Sequence, residues 1–135
     1  MRGDALSAIF GIGTDVVEVP RVERLLARYG ERFAARVLHQ AEWQGFRAAA
    51  APATYLAGRF AAKEAFAKAL GTGLRHPATL TRIGVTNDAL GKPCLELDPA
   101  LDALLGSRGI GARHVTLSHE RSVACAFVVL ERRNA

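Results

Sequence analysis

Arg59, Lys63, Glu64 and Lys68 recur at helical spacing inside an otherwise apolar stretch, Gly58 to Gly73, which reads GRFAAKEAFAKALGTG. Charges in such a setting are costly unless they are paired or hold a ligand. Two chemistries are open. One is a buried Lys–Glu ion pair that only orders the fold. The other is a site for a polyanion and its metal. The element that carries these residues is a helix from Pro52 to Leu70, closed by Gly71, a common residue just past a helix end. Projected at about 100° per residue, Tyr55, Leu56, Phe60, Phe66, Ala67 and Leu70 share an arc of roughly 140°. Arg59 and Lys63 lie inside that arc, and Glu64 lies at its edge, one turn before Lys68. The far side is Ala57, Ala61, Ala62, Ala65 and Ala69. A helix that is apolar or small nearly all round is buried or at an interface.

Polar groups at strand ends add to this helix. Asp15 follows Gly11-Ile12-Gly13-Thr14 in a run that is otherwise apolar. Ser118 and His119 close a strand just after Val115 and Leu117. Ser118-His119 has no elbow motif or Gly-rich oxyanion loop beside it, so it gives little support to a hydrolase. Two carboxylates converging among Arg and Lys point elsewhere. Hard cations such as Mg²⁺ take few protein carboxylates and complete their shell with water and phosphate oxygens. Asp15 and Glu64 suit that pattern.

The elements that must position these groups follow from local patterns. Ile9 to Val19 is β-branched and reads as a strand, stopped by Pro20 at the start of a helix. Pro20 to Arg36 reads as helical with a break at Gly30, and Ala41 to Ala50 as a weaker helix or loop. After the central helix come strands at Thr81–Thr86 and Pro93–Leu97, joined by turn residues as a hairpin. A short helix follows over Pro99–Ser107, then strands at His114–Ser118 and Val123–Glu131. Helices early and strands late predict an α+β fold with a largely antiparallel sheet.

Composition sets the outer limits. The chain has 135 residues, half of them hydrophobic and 23% charged, which suits one globular domain. No apolar run approaches membrane-spanning length. Cys94 and Cys125 sit singly in strand-like runs and read as buried free thiols in a reducing cytoplasm. The net charge is +5, from 18 Lys and Arg against 13 Asp and Glu, which suits an acidic partner: nucleic acid, an acidic protein or a phosphorylated ligand. Arg21, Arg24, Arg28, Arg32 and Arg36 recur every three or four residues as a stripe down one helical face. The residues interleaved with them are Val22, Leu25, Leu26 and Tyr29, at core spacing.

Three blocks together resemble the holo-acyl-carrier-protein synthase family, the group I 4′-phosphopantetheinyl transferases. They are Ile9 to Glu18 with Arg21; Arg59 to Ala65 through Lys68 to Gly71-Thr72-Gly73; and Val115 to His119. The turn Gly91-Lys92-Pro93 also matches. The first two blocks are highly specific in combination, and the resemblance runs from residue 9 to residue 131. It implies the single-domain form, with a largely antiparallel sheet packed on a long central helix. That domain spans residues 9–135, behind a flexible extension over residues 1–8. The implied reaction moves the 4′-phosphopantetheine arm of coenzyme A onto a serine of apo-acyl carrier protein and releases adenosine 3′,5′-bisphosphate. Asp15 and Glu64 would hold Mg²⁺, and Lys63 would neutralise or protonate the leaving phosphate, so Asp15, Lys63 and Glu64 form the implied catalytic set. Arg59, Lys68 and His119 would grip coenzyme A phosphates, with Gly71, Gly73 and Ser118 beside them. Arg21, Arg28 and Arg32 would dock the acidic carrier. The resemblance further implies a cytoplasmic homotrimer with sites in clefts between protomers, no membrane insertion and no nucleic-acid partner. A basic nucleic-acid-binding module without catalysis is the alternative that the charge and the arginine stripe support.

Overall fold

A computed structural model describes residues 7–134. Strand β1 (Ile9–Glu18) leads directly into helix α1 (Val19–Tyr29), with Pro20 in its first turn, where a missing N–H costs nothing. Gly30, at φ 60°, breaks the helical run before α2 (Glu31–Val37). A single 3₁₀ turn (Gln40–Glu42) runs into the short helix α3 (Trp43–Ala48), where the sequence reads as a weaker helix or loop. Helix α4 (Pro52–Leu70) has the limits expected of the central helix. Gly71 ends it in the left-handed region at φ 89°, and its N–H is donated to the Ala67 carbonyl. A second 3₁₀ turn (Leu80–Arg82) precedes the hairpin of β2 (Ile83–Asn87) and β3 (Pro93–Leu97). Helix α5 (Pro99–Ser107) and strands β4 (Ile110–His119) and β5 (Val123–Arg132) complete the chain.

Three strands form an antiparallel sheet in the order β1-β5-β4, and β2-β3 forms a separate antiparallel pair. The expected strand at His114–Ser118 is thus the distal half of a longer one. Residues 1–6 of the expected extension lie outside the described residues. The Ala8 carbonyl accepts a hydrogen bond from the Arg132 N–H at 2.7 Å.

Helix α4 lies across the inner face of the three-stranded sheet, against β1 and β5. Alternation along the strands turns Gly11, Gly13 and Val17 inward from β1, and Ala124, Ala126, Val128 and Leu130 inward from β5. The opposing helix face is Ala61, Ala62, Ala65 and Ala69, all buried. Small residues on both sides let the two backbones meet. A Cβ built on Gly13 would lie 2.0 Å from the Ala65 carbonyl oxygen, and one on Gly11 1.9 Å from that of Ala69. The clash is with backbone, which cannot swing aside. Gly13→Ala is therefore expected to destabilise the fold by about 3 kcal/mol, read as a fall in urea midpoint at unchanged m-value.

Among the described residues, no layer covers the outer face of the same sheet. Ile12, Val16 and Phe127 point from it and are exposed. Cys125 lies on this face, half-buried, and Cys94 is exposed at an outward position of β3. Both thiols are free, but neither is buried as the sequence suggests. Each occupies the side of its strand that faces away from the core.

Candidate active site

The edge of β1 and the flank of α4 bring Asp15, Glu64 and Lys68 together. Asp15 lies on the inward side of β1 between Gly13 and Val17, beside the helix rather than beneath it. Lys68 reaches back across this edge, and its Nζ donates to Asp15 Oδ1 at 3.2 Å and to the Thr14 carbonyl at 2.9 Å. Glu64 is half-buried one turn earlier on the same face. Burial raises the affinity of its carboxyl for a proton, the neighbouring Asp15 charge raises it further, and Lys68 opposes both. The site is thus two mutually repelling carboxylates with one exposed ammonium. Among the described residues no group of three or more His, Cys, Asp and Glu is arranged to hold a metal. Two carboxylates and no soft ligand fit a hard divalent cation that takes its remaining ligands from water and substrate oxygens.

Lys63 does not join this cluster, which corrects the expectation that it acts there. It is fully buried. Its Nζ donates to Glu42 Oε1 at 2.6 Å, to the Val37 carbonyl at 2.7 Å and to the Leu80 carbonyl at 3.0 Å, so all three protons are used. Burial lowers its pKa to about 8, against the pull of Glu42 toward the charged form. Lys63 and Glu64 are about 100° apart on the helix, so they face different neighbours. The buried Lys–Glu pair anticipated as one reading of this helix exists, with Glu42 rather than Glu64 as its acid.

A second polar group forms where α4 meets β4 and β2. The Arg59 guanidinium stacks over the Tyr55 ring at 4.1 Å. Its Nη2 donates to Asn87 Oδ1 at 2.8 Å and to the Val85 carbonyl at 3.4 Å, while its buried Nε has no partner. Arg59 and Tyr55 separate two open cavities. One, of about 280 Å³, is lined by Gly58, Leu117, Ser118 and His119. The other, of about 320 Å³, is lined by Gln44, Gly45, Thr86 and Asn87. His119 shares the inward side of β4 with Leu117 and borders the first cavity together with Arg59, whereas Ser118 pairs in register with Cys125 and lies on the outward side of the strand. Sequence reasoning misses Tyr55, Asn87 and Glu42. Tyr55 stands one turn before Arg59, which is a readable signal for stacking, whereas Asn87 reads as a turn residue.

These two groups do not meet within one chain. Asp15 pairs in register with Ala126, and Ala126 with Leu117. Asp15 and the Leu117–His119 strand end are thus on opposite edges of the sheet with β5 between, about 10 Å apart at the backbone. No hydrogen bond or ion pair joins the two groups among the described residues.

Gly71 and Gly73, at φ 89° and 67°, turn the chain after Lys68, and nothing lies within 4 Å of where their side chains would begin. They form an open shelf at the end of α4. Arg21, Arg28 and Arg32 are exposed and form no ion pair among the described residues. The stripe is not one continuous helical face, because Gly30 turns the chain between Arg28 and Arg32. The bend opens a groove of about 570 Å³ lined by Leu25, Tyr29, Arg32, Phe33 and Arg36. Arg28 and Arg32 flank the Tyr29 ring at 5.4 and 6.0 Å.

Comparison with known proteins places this arrangement. Residues 11–128 match the family model of the 4′-phosphopantetheinyl transferase superfamily. The chain is 54% identical over 124 residues to the holo-[acyl-carrier-protein] synthase of Nitrosospira multiformis, covering 92% of this chain and 99% of that one. Its fold superposes on the crystal structure of holo-[acyl-carrier-protein] synthase from Neisseria meningitidis with a TM-score of 0.88 at 47% identity, over 92% of this chain and 99% of that one. The Bacillus anthracis holo-(acyl-carrier-protein) synthase in complex with CoA (3′,5′-ADP) gives a TM-score of 0.76 at 35% identity, over 92% and 97%. With the family model spanning residues 11–128 and relatives of about half-identical sequence covered almost end to end, the chain belongs to the 4′-phosphopantetheinyl transferase superfamily.

Proposed function

We infer that this protein is a holo-acyl-carrier-protein synthase: it transfers the 4′-phosphopantetheine group of coenzyme A to a serine of apo-acyl carrier protein, in service of fatty acid biosynthesis. The observation that carries this reading is the convergence of Asp15, Glu64 and Lys68 at one sheet edge, matched by the Arg59–His119 cavity at the other. The nucleic-acid-binding alternative is left without support.

Asp15 and Glu64 are the residues that would hold Mg²⁺, which when bound supplies charge neutralisation to the coenzyme A pyrophosphate. The transferred phosphorus is attacked by the carrier's serine hydroxyl, and adenosine 3′,5′-bisphosphate leaves. No protein nucleophile is needed. Lys68, the ammonium already at the cluster, neutralises charge that develops on the phosphate oxygens, a task that the buried Lys63 is not placed to perform. Arg59 and His119 hold the phosphates of the leaving nucleotide, with Ser118 beside them, and the Gly71–Gly73 shelf lets coenzyme A pass close to the backbone.

Because Arg59 and His119 lie across the sheet from Asp15, one complete site takes Asp15, Glu64 and Lys68 from one copy and Arg59 and His119 from a neighbour. The uncovered sheet face with Ile12, Val16 and Phe127 supports a closed ring of copies, a homotrimer. A reducing cytoplasm suits the two free thiols, and no helix among the described residues is long and apolar enough to cross a membrane. Incubating an apo-carrier with the protein, coenzyme A and Mg²⁺ tests the activity. The carrier's intact mass is expected to rise by one phosphopantetheine, and an unchanged mass would overturn the reading.

The carrier is expected to dock on α1 and α2. Arg21, Arg28 and Arg32 offer positive charge, and the Leu25–Tyr29–Phe33 groove offers apolar contact to an acidic amphipathic helix. A single exposed charge contributes little, so one substitution should weaken binding only a few-fold. Arg21→Glu combined with Arg28→Glu replaces attraction by repulsion. The pair is expected to raise the Michaelis constant for carrier by about ten-fold or more at low salt and to slow association, with coenzyme A affinity unchanged. Surface plasmon resonance against immobilised apo-carrier at two ionic strengths reads both effects.

A further inference from the structure

Glu42 is fully buried, and each of its acceptors is engaged. Oε1 accepts from Lys63 Nζ at 2.6 Å and from the His39 N–H at 2.8 Å, and Oε2 accepts from the Val85 N–H at 2.8 Å. Its backbone carbonyl accepts from the Tyr55 hydroxyl at 3.0 Å. Gly45 leaves room for that hydroxyl, since a Cβ there would lie 2.6 Å from it. Lys63 joins Glu42 to the end of α2 and to the 3₁₀ turn at Leu80.

The partners of Arg59 lead back to the same carboxylate. Tyr55, whose ring supports the guanidinium, is bonded to the Glu42 carbonyl. Val85, whose carbonyl accepts from Nη2, is held through its own N–H by Glu42 Oε2. Asn87, the remaining acceptor, lies two residues further along β2 and is itself fixed by donating from Nδ2 to the Gly91 carbonyl at 2.9 Å. Arg59 is thereby held by one nitrogen and one ring face, its Nε is buried, and its Nη1 donates to no protein group among the described residues. A guanidinium with a vacant donor and a fixed plane is prepared for a phosphate. Stability alone does not demand such a network, because an apolar pair of similar volume commonly serves a core as well as a buried ion pair does.

We propose that the buried Lys63–Glu42 pair, acting through Tyr55 and Val85, is the positioning network that fixes Arg59 to receive a phosphate of the coenzyme A nucleotide. The proposal rests on the reading of Arg59 as a phosphate ligand. Lys63 and Glu42 touch no substrate, so they are positioning residues. They act on binding of the nucleotide half and leave the chemistry at Asp15 and Glu64 untouched.

The probe is adenosine 3′,5′-bisphosphate, titrated calorimetrically into the intact protein without carrier, alongside steady-state kinetics. The variants are Tyr55→Phe, which removes only the hydroxyl link, Asn87→Ala, and the apolar replacement Lys63→Met with Glu42→Leu. Tyr55→Phe is expected to weaken the bisphosphate and raise the Michaelis constant for coenzyme A by about five-fold, the scale of one hydrogen bond. The Lys63→Met, Glu42→Leu protein is expected to weaken both by about twenty-fold or more, with kcat within about two-fold of the parent. Unchanged bisphosphate affinity in that folded double variant would overturn the proposal, and so would a collapse of kcat at constant Michaelis constant. Should the double variant fail to fold, Tyr55→Phe and Asn87→Ala decide the matter, and normal affinity in both overturns it. Failure of the parent protein to bind the bisphosphate would instead overturn the phosphate role of Arg59 on which the proposal stands.

Discussion

Asp15→Ala and Glu64→Gln are each expected to reduce phosphopantetheine transfer by about a hundred- to a thousand-fold or more, the scale of losing a preorganised charge at a phosphoryl-transfer site. Neither change should harm the fold. Asp15 and Glu64 repel each other, and burial further disfavours the ionised Glu64. Removing one charge relieves that conflict, so the thermal midpoint should stay level or rise. Loss of activity with retained or raised stability is the signature of a site whose charges are arranged for a ligand. A purely structural carboxylate would give the reverse pattern, with falling stability and intact turnover. Near-normal turnover of either variant at saturating Mg²⁺ would contradict the assignment. Circular dichroism melts and transfer rates on the same preparations distinguish the cases.

Phe127→Asp is expected to abolish activity by a different route. Phe127 stands on the central strand β5, on the face opposite α4, with Thr14 and Thr116 as its register partners. The surrounding apolar residues Ile12 and Val16 are exposed in the single chain. An exposed apolar patch of this kind marks an interaction surface, and in the proposed trimer it is the face that a neighbouring copy covers. A carboxylate at its centre would be desolvated without a partner in every protomer of the proposed ring. The variant should elute and scatter light as a folded monomer while transfer falls at least about a hundred-fold, since each site would lose the neighbour's Arg59 and His119. A monomer that retains full turnover would show that one chain holds a complete site.

Much of the fold is legible because strong local signals agree with tertiary packing. Pro52 and Gly71 bracket α4, and Pro20, Gly30 and Pro99 mark boundaries where the structure has them. The carboxylate pair is legible for a similar reason: Asp15 and Glu64 are conspicuous in runs that are otherwise apolar or small. Lys63 shows where such reading ends. Angular projection places it within the buried arc but does not say what it meets there, and its partner Glu42 comes from a segment with weak periodicity. Cα-level patterns likewise do not reveal that the Arg59 and Asp15 groups sit on opposite sheet edges. That separation depends on the strand order β1-β5-β4, in which the last strand of the chain inserts between the first and its own predecessor. The arginine stripe has the same limit. Its spacing is helical through Gly30, but the positive φ there divides it between two helices and creates the groove.

The central claim is that one active site is built from two copies of the chain, and mixing two inactive variants tests it most directly. One variant carries Asp15→Ala, and the other carries Arg59→Ala with His119→Ala. Each alone should be inactive in transfer. Co-expressed, or unfolded and refolded together in equal amounts, they form mixed trimers in which about a quarter of the clefts pair an intact Asp15 edge with an intact Arg59 edge. Transfer activity of the mixture is expected to return to about a quarter of the parent level, while each variant refolded separately stays inactive. Mixed trimers that remain as inactive as either parent variant would place both groups in a single chain's site and contradict the account.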